Sequence, residues 1–430
     1  MISGYENRYQ HIAKTLRRRH RQERRLKYAG CVAIILAVGF LLTMLTIITS
    51  NGITALKQAE TLVDITIPQA ELLAEDGSID PDKSRLFNWG GLVKRAFATQ
   101  FPEVTGISQR RALVSLVSEN AGYELRRAVE NDPALLSQTQ FWVKTSDEVD
   151  VYLKGRIDRD LPEDLRPIKD IQLDWLDILE GDGRIRQAFN TSFFTEADSR
   201  EPESAGILGA VVGSGLALIV TVMLALPLAV MSAIYLEYFA RPGVVTDLIE
   251  VNINNLAAVP SIVFGLLGLA VFLNFFDLPR SAPLVGGMVL ALMTLPTIII
   301  ATRVSIRAVP HSLRDAALGL GASPMQAALD HVLPLALPGI LTGTIIGLAQ
   351  ALGETAPLIM IGMVAFIVDV PASITDPATA LPVQIFIWSD SAERAFYERA
   401  SLAIMVLLLF LISMNLLAVI LRQKFEKKWQ

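Results

Sequence analysis

Long apolar runs, all uncharged except for Glu354 in the fifth, are the feature that most constrains how this chain can fold. Each run is near or above the roughly 20 residues that a helix needs to cross about 30 Å of hydrocarbon. Apolar residues make up 52% of the sequence, more than a soluble protein of this length usually carries. We therefore predict an all-α polytopic membrane protein with six transmembrane helices. The six runs are Cys31–Thr49, Ala205–Leu236, Leu256–Phe276, Pro283–Thr302, Pro338–Val368 and Ser401–Leu421.

The positions of Lys and Arg predict which side of the membrane each segment occupies. Residues 1–27 carry nine of them, and residues 303–337 and 422–430 carry several more. Because basic segments stay in the cytoplasm, both termini and the 303–337 loop are expected inside. The first apolar run is longer than a signal-peptide core of roughly 7–15 residues, which favours an uncleaved anchor over a cleaved signal peptide.

This topology divides the chain into five predicted parts. They are a basic cytoplasmic N-terminus (1–27), transmembrane helix 1 (28–50), a periplasmic domain of unknown role (51–204), a five-helix core (205–421) containing the 303–337 loop, and a basic cytoplasmic tail (422–430). The basic inner face suits anionic membrane lipid. It does not indicate nucleic-acid binding, because the basic residues 1–27 adjoin a membrane anchor.

The predicted periplasmic part is acidic. Residues 51–200 carry 18 Lys and Arg against 26 Asp and Glu, a net charge of −8. Its acidic patches suit either a docking surface or an ordinary solvated face. Neither catalytic residues nor a metal-ligand spacing is evident, so we assign no catalytic or metal site. Helical periodicity over Gly91–Ala98 and Ser108–Val129, with β-like runs at Leu62–Ile67, Phe141–Lys144 and Val149–Leu153, predicts an α+β insertion.

The 303–337 loop predicts two short helices. A capping box from Ser312 to Asp315 would start the first, and Gly321 would follow its end, because glycine accepts left-handed geometry. Ser323 would cap the second helix, and Pro334 would stop it before the next span. The second helix presents one apolar face, which suits either a protein groove or a lipid surface. That face contains Met325, Ala328, Leu329 and Val332.

Glu354 is the only charged residue between Pro338 and Val368. An ionisable group inside a membrane is costly and therefore indicates function. Three roles stay open: it pairs with a cation and sets a gate, it is protonated and donates to an anion, or it holds helices together in a structural pair. Thr355 beside it is a further candidate for the substrate path.

Two other places in the apolar runs are candidates for the substrate path. Pro260 interrupts the third run, so a helix restarting at Ser261 would aim free N–H groups at an anion, unless Pro260 makes a simple kink. Arg303 and Arg307 lie one turn apart at the end of the fourth run. They suit either anion contact or positive-inside anchoring. Gly339, Gly343 and Gly347 form a stripe that allows close helix packing.

Several segments resemble the permeases of ABC importers. Asp315-Ala316-Ala317, Gly321 and Leu333-Pro334 resemble the EAA loop of these permeases, with Asp315 in place of Glu. Leu352–Leu358 resembles the G-E-T-A-P-L signature of phosphate permeases of the PstA type, and the likeness covers residues 205–428. Ile300 stands where those permeases carry an arginine, so Arg303 either replaces it one turn later or the role is lost.

The resemblance implies the fold, function and partners of the chain. It implies a type I ABC importer permease that forms half of the translocation path for phosphate and lies in the bacterial inner membrane. The expected partners are a second permease of the PstC type, an ATPase subunit dimer and a periplasmic phosphate-binding protein. Helix packing along the glycine stripe is expected against the second permease. The loop would dock into the ATPase through Asp315, Ala316, Ala317, Gly321, Met325, Leu329, Leu333 and Pro334.

Two alternatives to phosphate transport follow from the same residues. The chain could carry another oxyanion, such as sulfate or molybdate, or it could be a membrane sensor with a periplasmic ligand domain. It lacks the G-x-x-x-x-G-K-[ST] motif, so we expect no enzyme activity and no cofactor on this chain. ATP-Mg is expected on the partner ATPase.

Overall fold

The computed structural model describes residues 2–74, 78–364 and 366–425, and most of them are helical. Residues 1–51 form one unit of the structure and residues 52–430 form a second. Helix α1 (Ile2–Ala55) carries the first apolar run, whose side chains are largely exposed, as in a lipid-facing helix. Residues 426–430 of the predicted basic tail lie outside the described part of the chain.

Residues 57–204, which we call the insertion domain, combine a small sheet with short helices. Strands β1 (Lys57–Asp64), β2 (Gln140–Lys144) and β3 (Ile185–Phe189) form an antiparallel sheet in the order β2-β1-β3. Large apolar side chains such as Trp89 and Phe97 fill its core. Its helices are α2 (Gln69–Leu72), α3 (Pro81–Leu86), α4 (Trp89–Ala98), α5 (Ile107–Val114), α6 (Ala121–Asn131), α7 (Asp147–Leu153), α8 (Asp170–Gly181) and α9 (Ser192–Thr195).

The predicted α+β class of the insertion is confirmed, but several of its elements differ. The helix predicted over Ser108–Val129 is two helices, because the backbone of residues 115–120 leaves the helix to pair with the end of β2. The strand predicted at Val149–Leu153 is wrong. Those residues belong to helix α7, whose first turn is rich in acidic side chains that favour a helix N-terminus. Strand β3 was not predicted.

The remaining helices form the membrane core. They are α10 (Leu208–Ile234), α11 (Val244–Ala257), α12 (Ser261–Leu267), α13 (Pro283–Arg307), α14 (His311–Gly319), α15 (Pro324–Gln326), α16 (Leu333–Gly353), α17 (Ala356–Met360), α18 (Leu381–Ser389) and α19 (Arg394–Phe425). Among the described residues, five helices are long and apolar enough to cross a membrane, and a bent pair makes up to six. The α-helical membrane fold is therefore confirmed, whereas the number of crossings is five or six.

The third apolar run is sharply bent rather than straight. Helix α11 ends at Ala257, and the chain turns by 104° before α12 begins at Ser261. Pro260 explains the break, because a proline lacks an N–H and its ring clashes with the carbonyl four residues earlier. The apolar run over Leu256–Phe276 is therefore interrupted at Pro260, and a helix restarts at Ser261 as the sequence predicted, in place of a simple kink.

The fifth span ends earlier than the sequence predicted. Helix α16 stops at Gly353, and Glu354 has extended backbone with a ψ of 124°. Pro357 accounts for the stop, because its ring would clash with the carbonyl of Gly353 in a continuous helix. Glu354 therefore lies in a break between α16 and α17, and not inside a helix that continues to Val368.

A buried polar junction ties the insertion domain to α19. The Arg399 side chain donates to the carbonyl of Ala205 and to Gln58 Oε1, both at 3.0 Å. Lys154, which directly follows α7, bridges Asp150 at 2.5 Å and Glu398 at 3.3 Å, and all three side chains are less than 10% exposed. Buried charges are held in this way only where partners satisfy them, so domain and helix form a fixed joint.

Candidate functional site

The loop between α13 and α16 contains the two helices that the sequence indicated. Helix α14 starts at His311 because Pro310, with a φ of −58°, already begins the turn. Ser312 thus lies inside the helix, and the predicted cap at that residue is wrong. Gly321 has a φ of +92°, a conformation that glycine adopts far more readily than other residues. Its N–H donates to the carbonyl of Leu318 at 3.0 Å, which completes the end of α14.

The second helix of the loop begins at a capping box, as predicted. Ser323 Oγ accepts from the N–H of Gln326 at 3.3 Å, and Gln326 Oε1 accepts from the N–H of Ser323 at 2.9 Å. The predicted stop at Pro334 is wrong, because residues 324–353 run on as one helix. A π-helical turn over Ala327–Val332 joins α15 to α16. Pro334 then falls in the first turn of α16, directly after this π-helical turn.

One side of the loop is apolar and exposed. Leu320 is 90% exposed, Met325 53% and Leu329 41%, and we call these three residues the coupling patch. Ala328 and Val332, predicted on the same face, are instead buried. They pack with Ile306, Val309, Ala336 and the half-buried Leu333. The other predicted coupling residues are exposed at Asp315, Ala316 and Pro334 and buried at Ala317.

Arg303 and Arg307 are held in an ion network at the loop end of α13. Arg303 donates to Glu237 at 2.6 Å and to Glu250 at 2.5 Å, and Arg307 donates to Glu237 at 2.9 Å. Glu237 follows α10, and Glu250 belongs to α11. The Arg303 side chain is only 12% exposed, whereas that of Arg307 is 61% exposed. The network therefore joins the end of α10, the middle of α11 and the end of α13 through Arg303.

Glu354 and Thr355 occupy the break between α16 and α17. Glu354 is half-buried, and within the described residues its carboxylate has neither a hydrogen bond nor an ion pair. Ser261 begins the neighbouring α12, which packs closely on α17. A methyl group placed on Gly265 would lie 2.7 Å from Cα of Pro357. Two helix breaks, each caused by a proline, thus lie side by side in the bundle.

The predicted substrate-path residues do not form one cluster. Gly343 faces Ala301 and Gly339 faces Ser305, so Arg303 is level with the turn between those glycines. Glu354 lies about 13 residues further along α16, or about 20 Å at the rise of an α-helix. The arginines at one end and Glu354 with Ser261 at the other are therefore separate features.

The glycine stripe of α16 packs inside this chain. A methyl group on Gly343 would lie 2.2 Å from Cβ of Ala301, and one on Gly339 would lie 2.2 Å from Oγ of Ser305. Gly347 faces Ile298 of the same helix, α13. The expected contact of the stripe with a second permease is therefore wrong, because α13 already covers it.

Glu237 and Glu250 are the functional candidates that the sequence analysis missed. Glu237 directly follows the apolar helix α10, and Glu250 lies in the middle of α11, so each is on a different helix from the arginines. A search of the sequence for acids that could neutralise Arg303 would have identified both residues as candidates. It could not have paired them with Arg303, because the pairing depends on how α10 and α11 pack against α13.

Two family models match the chain. One, described as a binding-protein-dependent transport system inner membrane component, matches residues 225–429. The other, a domain of unknown function (DUF3333), matches residues 13–163. The first covers α11–α19 with the loop, and the second covers most of the insertion domain.

Curated relatives share the membrane core. The chain is 31% identical over 239 residues to the phosphate transport system permease protein PstA of Yersinia pestis, covering 55% of this chain and 78% of the relative. It is 32% identical over 168 residues to the probable ABC transporter permease protein YqgI of Bacillus subtilis, covering 39% of this chain and 56% of the relative. A structure of the MetNI methionine ABC transporter is 17% identical, with a TM-score of 0.41, over 52% of this chain and 95% of the other.

Proposed function

Because this chain belongs to the PstA-type family of phosphate transport permeases, we propose that it forms half of the translocation path of an ATP-driven phosphate importer. It is a transport subunit and not an enzyme. The observation that carries this function is the single helix over residues 324–353. Met325 and Leu329 of the coupling patch lie on the same continuous helix as the span that ends at Gly353.

The chain couples to ATP through a lever. A separate ATPase dimer binds the coupling patch. When ATP binds, the dimer closes and displaces α15. The displacement passes along α16, whose hydrogen-bonded backbone transmits it without an intervening hinge of loop residues. The interlocked glycine stripe carries α13 with it, because helices this close cannot slide independently. ATP binding thus supplies the energy difference between the outward and inward states.

The substrate end of the lever is the pair of helix breaks. Movement of α16 shifts Glu354 relative to Ser261, and this opens or closes the passage between α12 and α17. A charged Glu354 repels a phosphate anion, so we assign it to the gate or, when protonated, to donation toward the anion. Arg303 is neutralised by two carboxylates. We therefore assign it to holding the loop end of the bundle, and not to binding the anion.

The remaining parts of the importer follow from the family. The proposed partners are a second permease of the PstC type, the ATPase dimer, a periplasmic phosphate-binding protein and membrane lipid. ATP-Mg binds the ATPase, and this chain holds no cofactor. The multi-pass chain lies in the inner membrane with both termini and the coupling patch in the cytoplasm.

Replacing Gly321 tests this function. Gly321→Pro forces φ to about −65° and removes the N–H that bonds to Leu318, so the loop cannot keep its shape. We expect insertion and assembly with the ATPase subunit to persist, while ATP-driven phosphate uptake into proteoliposomes is lost. Gly319→Ala is the matched control, because Gly319 has no positive φ and a methyl group there meets no atom within 4 Å. Normal phosphate uptake by Gly321→Pro would show that this loop does not couple ATP hydrolysis to transport.

The same vesicles test the identity of the anion. Phosphate should stimulate ATP hydrolysis by the assembled complex with its binding protein, and excess sulfate or molybdate should not compete. Stimulation by sulfate or molybdate instead would keep the transport mechanism but overturn the assignment of phosphate.

A further inference from the structure

The insertion domain contains a large charged cavity that the transport mechanism does not use. Its volume is about 730 Å³, within the range of small-molecule sites. Its walls come from α4, α5 and α7, from the turn that precedes α10 and from the residue that precedes α19. We call it the charged cleft.

The charged cleft carries acids and bases that remain unpaired. In the described part of the chain, none of its charged side chains forms a salt bridge, although both signs line one cavity. The bases lie on α4 and α5, and all but one of the acids lie on α7 and on the segments before α10 and α19. The bases are Lys94, Arg110 and Arg111, and the acids are Glu119, Asp147, Glu148, Glu201, Glu203 and Glu393.

The acids lie close enough to repel one another. Burial raises the pKa of Glu148 and Glu201, and the charges of Asp147 and Glu393 raise both pKa values further. The acids therefore repel one another, and within the described residues no salt bridge to the bases of the same cavity offsets that repulsion.

Glu203 is the residue that makes the acidic side more than a solvated surface. Its side chain lines the cavity, yet the residue is only 2% exposed. Its Oε2 atom has no hydrogen-bond partner among the described residues. A buried carboxylate oxygen without a partner is costly, and it accepts a donor such as an ammonium group.

We propose that the charged cleft binds a small zwitterion with excess positive charge, of which a basic amino acid is the type. Its ammonium groups would contact the acids around Glu201 and Glu203, and its carboxylate would contact the bases around Arg111. Among the described residues, no group of three acids, histidines or cysteines converges closely enough to hold a metal ion. The cavity is also much larger than an ion needs.

The position of the charged cleft gives its occupant a route to the membrane core. Glu201 and Glu203 lie a few residues before α10, and Glu393 directly precedes α19. A ligand that neutralises these acids would change the repulsion between the starts of two membrane helices. Binding itself requires neither ATP nor phosphate, so this proposal stands or fails separately from the transport function.

Calorimetry on the purified full-length chain in detergent tests the proposal. The probe is L-lysine, with cadaverine as the same chain lacking the carboxylate and glutarate as the dicarboxylate. We expect L-lysine to bind, cadaverine to bind more weakly and glutarate not to bind. Glu201→Gln and Arg111→Gln should each weaken L-lysine binding about tenfold, as expected for the loss of one charged hydrogen bond.

Matched variants outside the charged cleft serve as controls for the loss of charge. Glu163→Gln and Arg95→Gln change the same residue types at exposed positions that do not line the cavity, and they should leave affinity unchanged. Far-ultraviolet circular dichroism and a thermal melt check that each variant is folded. No binding of L-lysine at millimolar concentration would overturn the proposal. So would equal affinity for cadaverine, or affinity that Arg111→Gln leaves intact.

Discussion

Removing Arg303 should destabilise the membrane core more than removing Arg307. Both are arginines one turn apart on α13, and both bond to Glu237. Arg303 also bonds to Glu250, and its side chain is 12% exposed against 61% for Arg307. Arg303→Gln leaves two carboxylates without their buried partner, whereas Arg307→Gln removes a pair that water already screens.

The structure sets the size of this difference. Breaking a buried ion pair by removing one partner costs about 3–5 kcal/mol. Glu250 is 36% exposed, and Arg307 still neutralises part of Glu237 in the Arg303→Gln variant, so we expect about 2 kcal/mol there. An exposed pair contributes about 1 kcal/mol or less, which sets the value for Arg307→Gln. Equilibrium unfolding in mixed detergent micelles, followed by circular dichroism, measures both free energies.

A combined variant separates pairing from a general loss of charge. Arg303→Gln with Glu237→Gln and Glu250→Gln removes the uncompensated carboxylates, so it should recover part of the lost stability. The reasoning is refuted if Arg303→Gln and Arg307→Gln have equal, small effects. That result would mean that both arginines only anchor the chain at the membrane surface.

Three further predictions concern other parts of the chain. Gly343→Leu should prevent close contact of α16 with α13 and lower folded yield, measured by size-exclusion chromatography, because even a methyl group there would lie 2.2 Å from Ala301. Glu354→Gln should impair phosphate uptake without changing the unfolding free energy; unchanged uptake would make Glu354 purely structural. Burial raises the pKa of Glu203 to about 7 from 4.5, so its contribution to stability falls as pH rises between those values. Glu203→Gln should therefore be more stable than the wild type at pH 8, by at most about 3 kcal/mol, and show no such gain near pH 4.

The membrane class and the two-helix loop could be predicted from the sequence, because both depend on local signals. Uncharged runs of sufficient length define spans whatever their neighbours are. Gly321 and the Ser323 capping box act within one turn of the chain, so the structure agrees with both. The family signature around Glu354 also names residues that lie together in the chain.

The position of the helix break after α16 and the ion pairs could not be predicted from the sequence, because they depend on residues in more than one segment. Pro357 stops α16 at Gly353, yet Pro334 and Pro338 lie in the same helix without stopping it. The π-helical turn directly before Pro334 accommodates that residue and is not revealed by hydropathy, whereas nothing in the structure explains why Pro338 leaves α16 unbroken. The stripe of Gly343 was correctly identified as a packing surface, but its partner could not be read from one sequence.

Accessibility of the coupling loop tests the central claim most directly. Ala322→Cys, in a Cys31→Ser background, places a single thiol beside Gly321 in the loop between α14 and α15. A membrane-impermeant maleimide should label it in inside-out vesicles and not in intact cells, and added ATPase subunit should protect it. Labelling in intact cells would place the loop on the wrong side of the membrane and contradict its role as the lever driven by ATP.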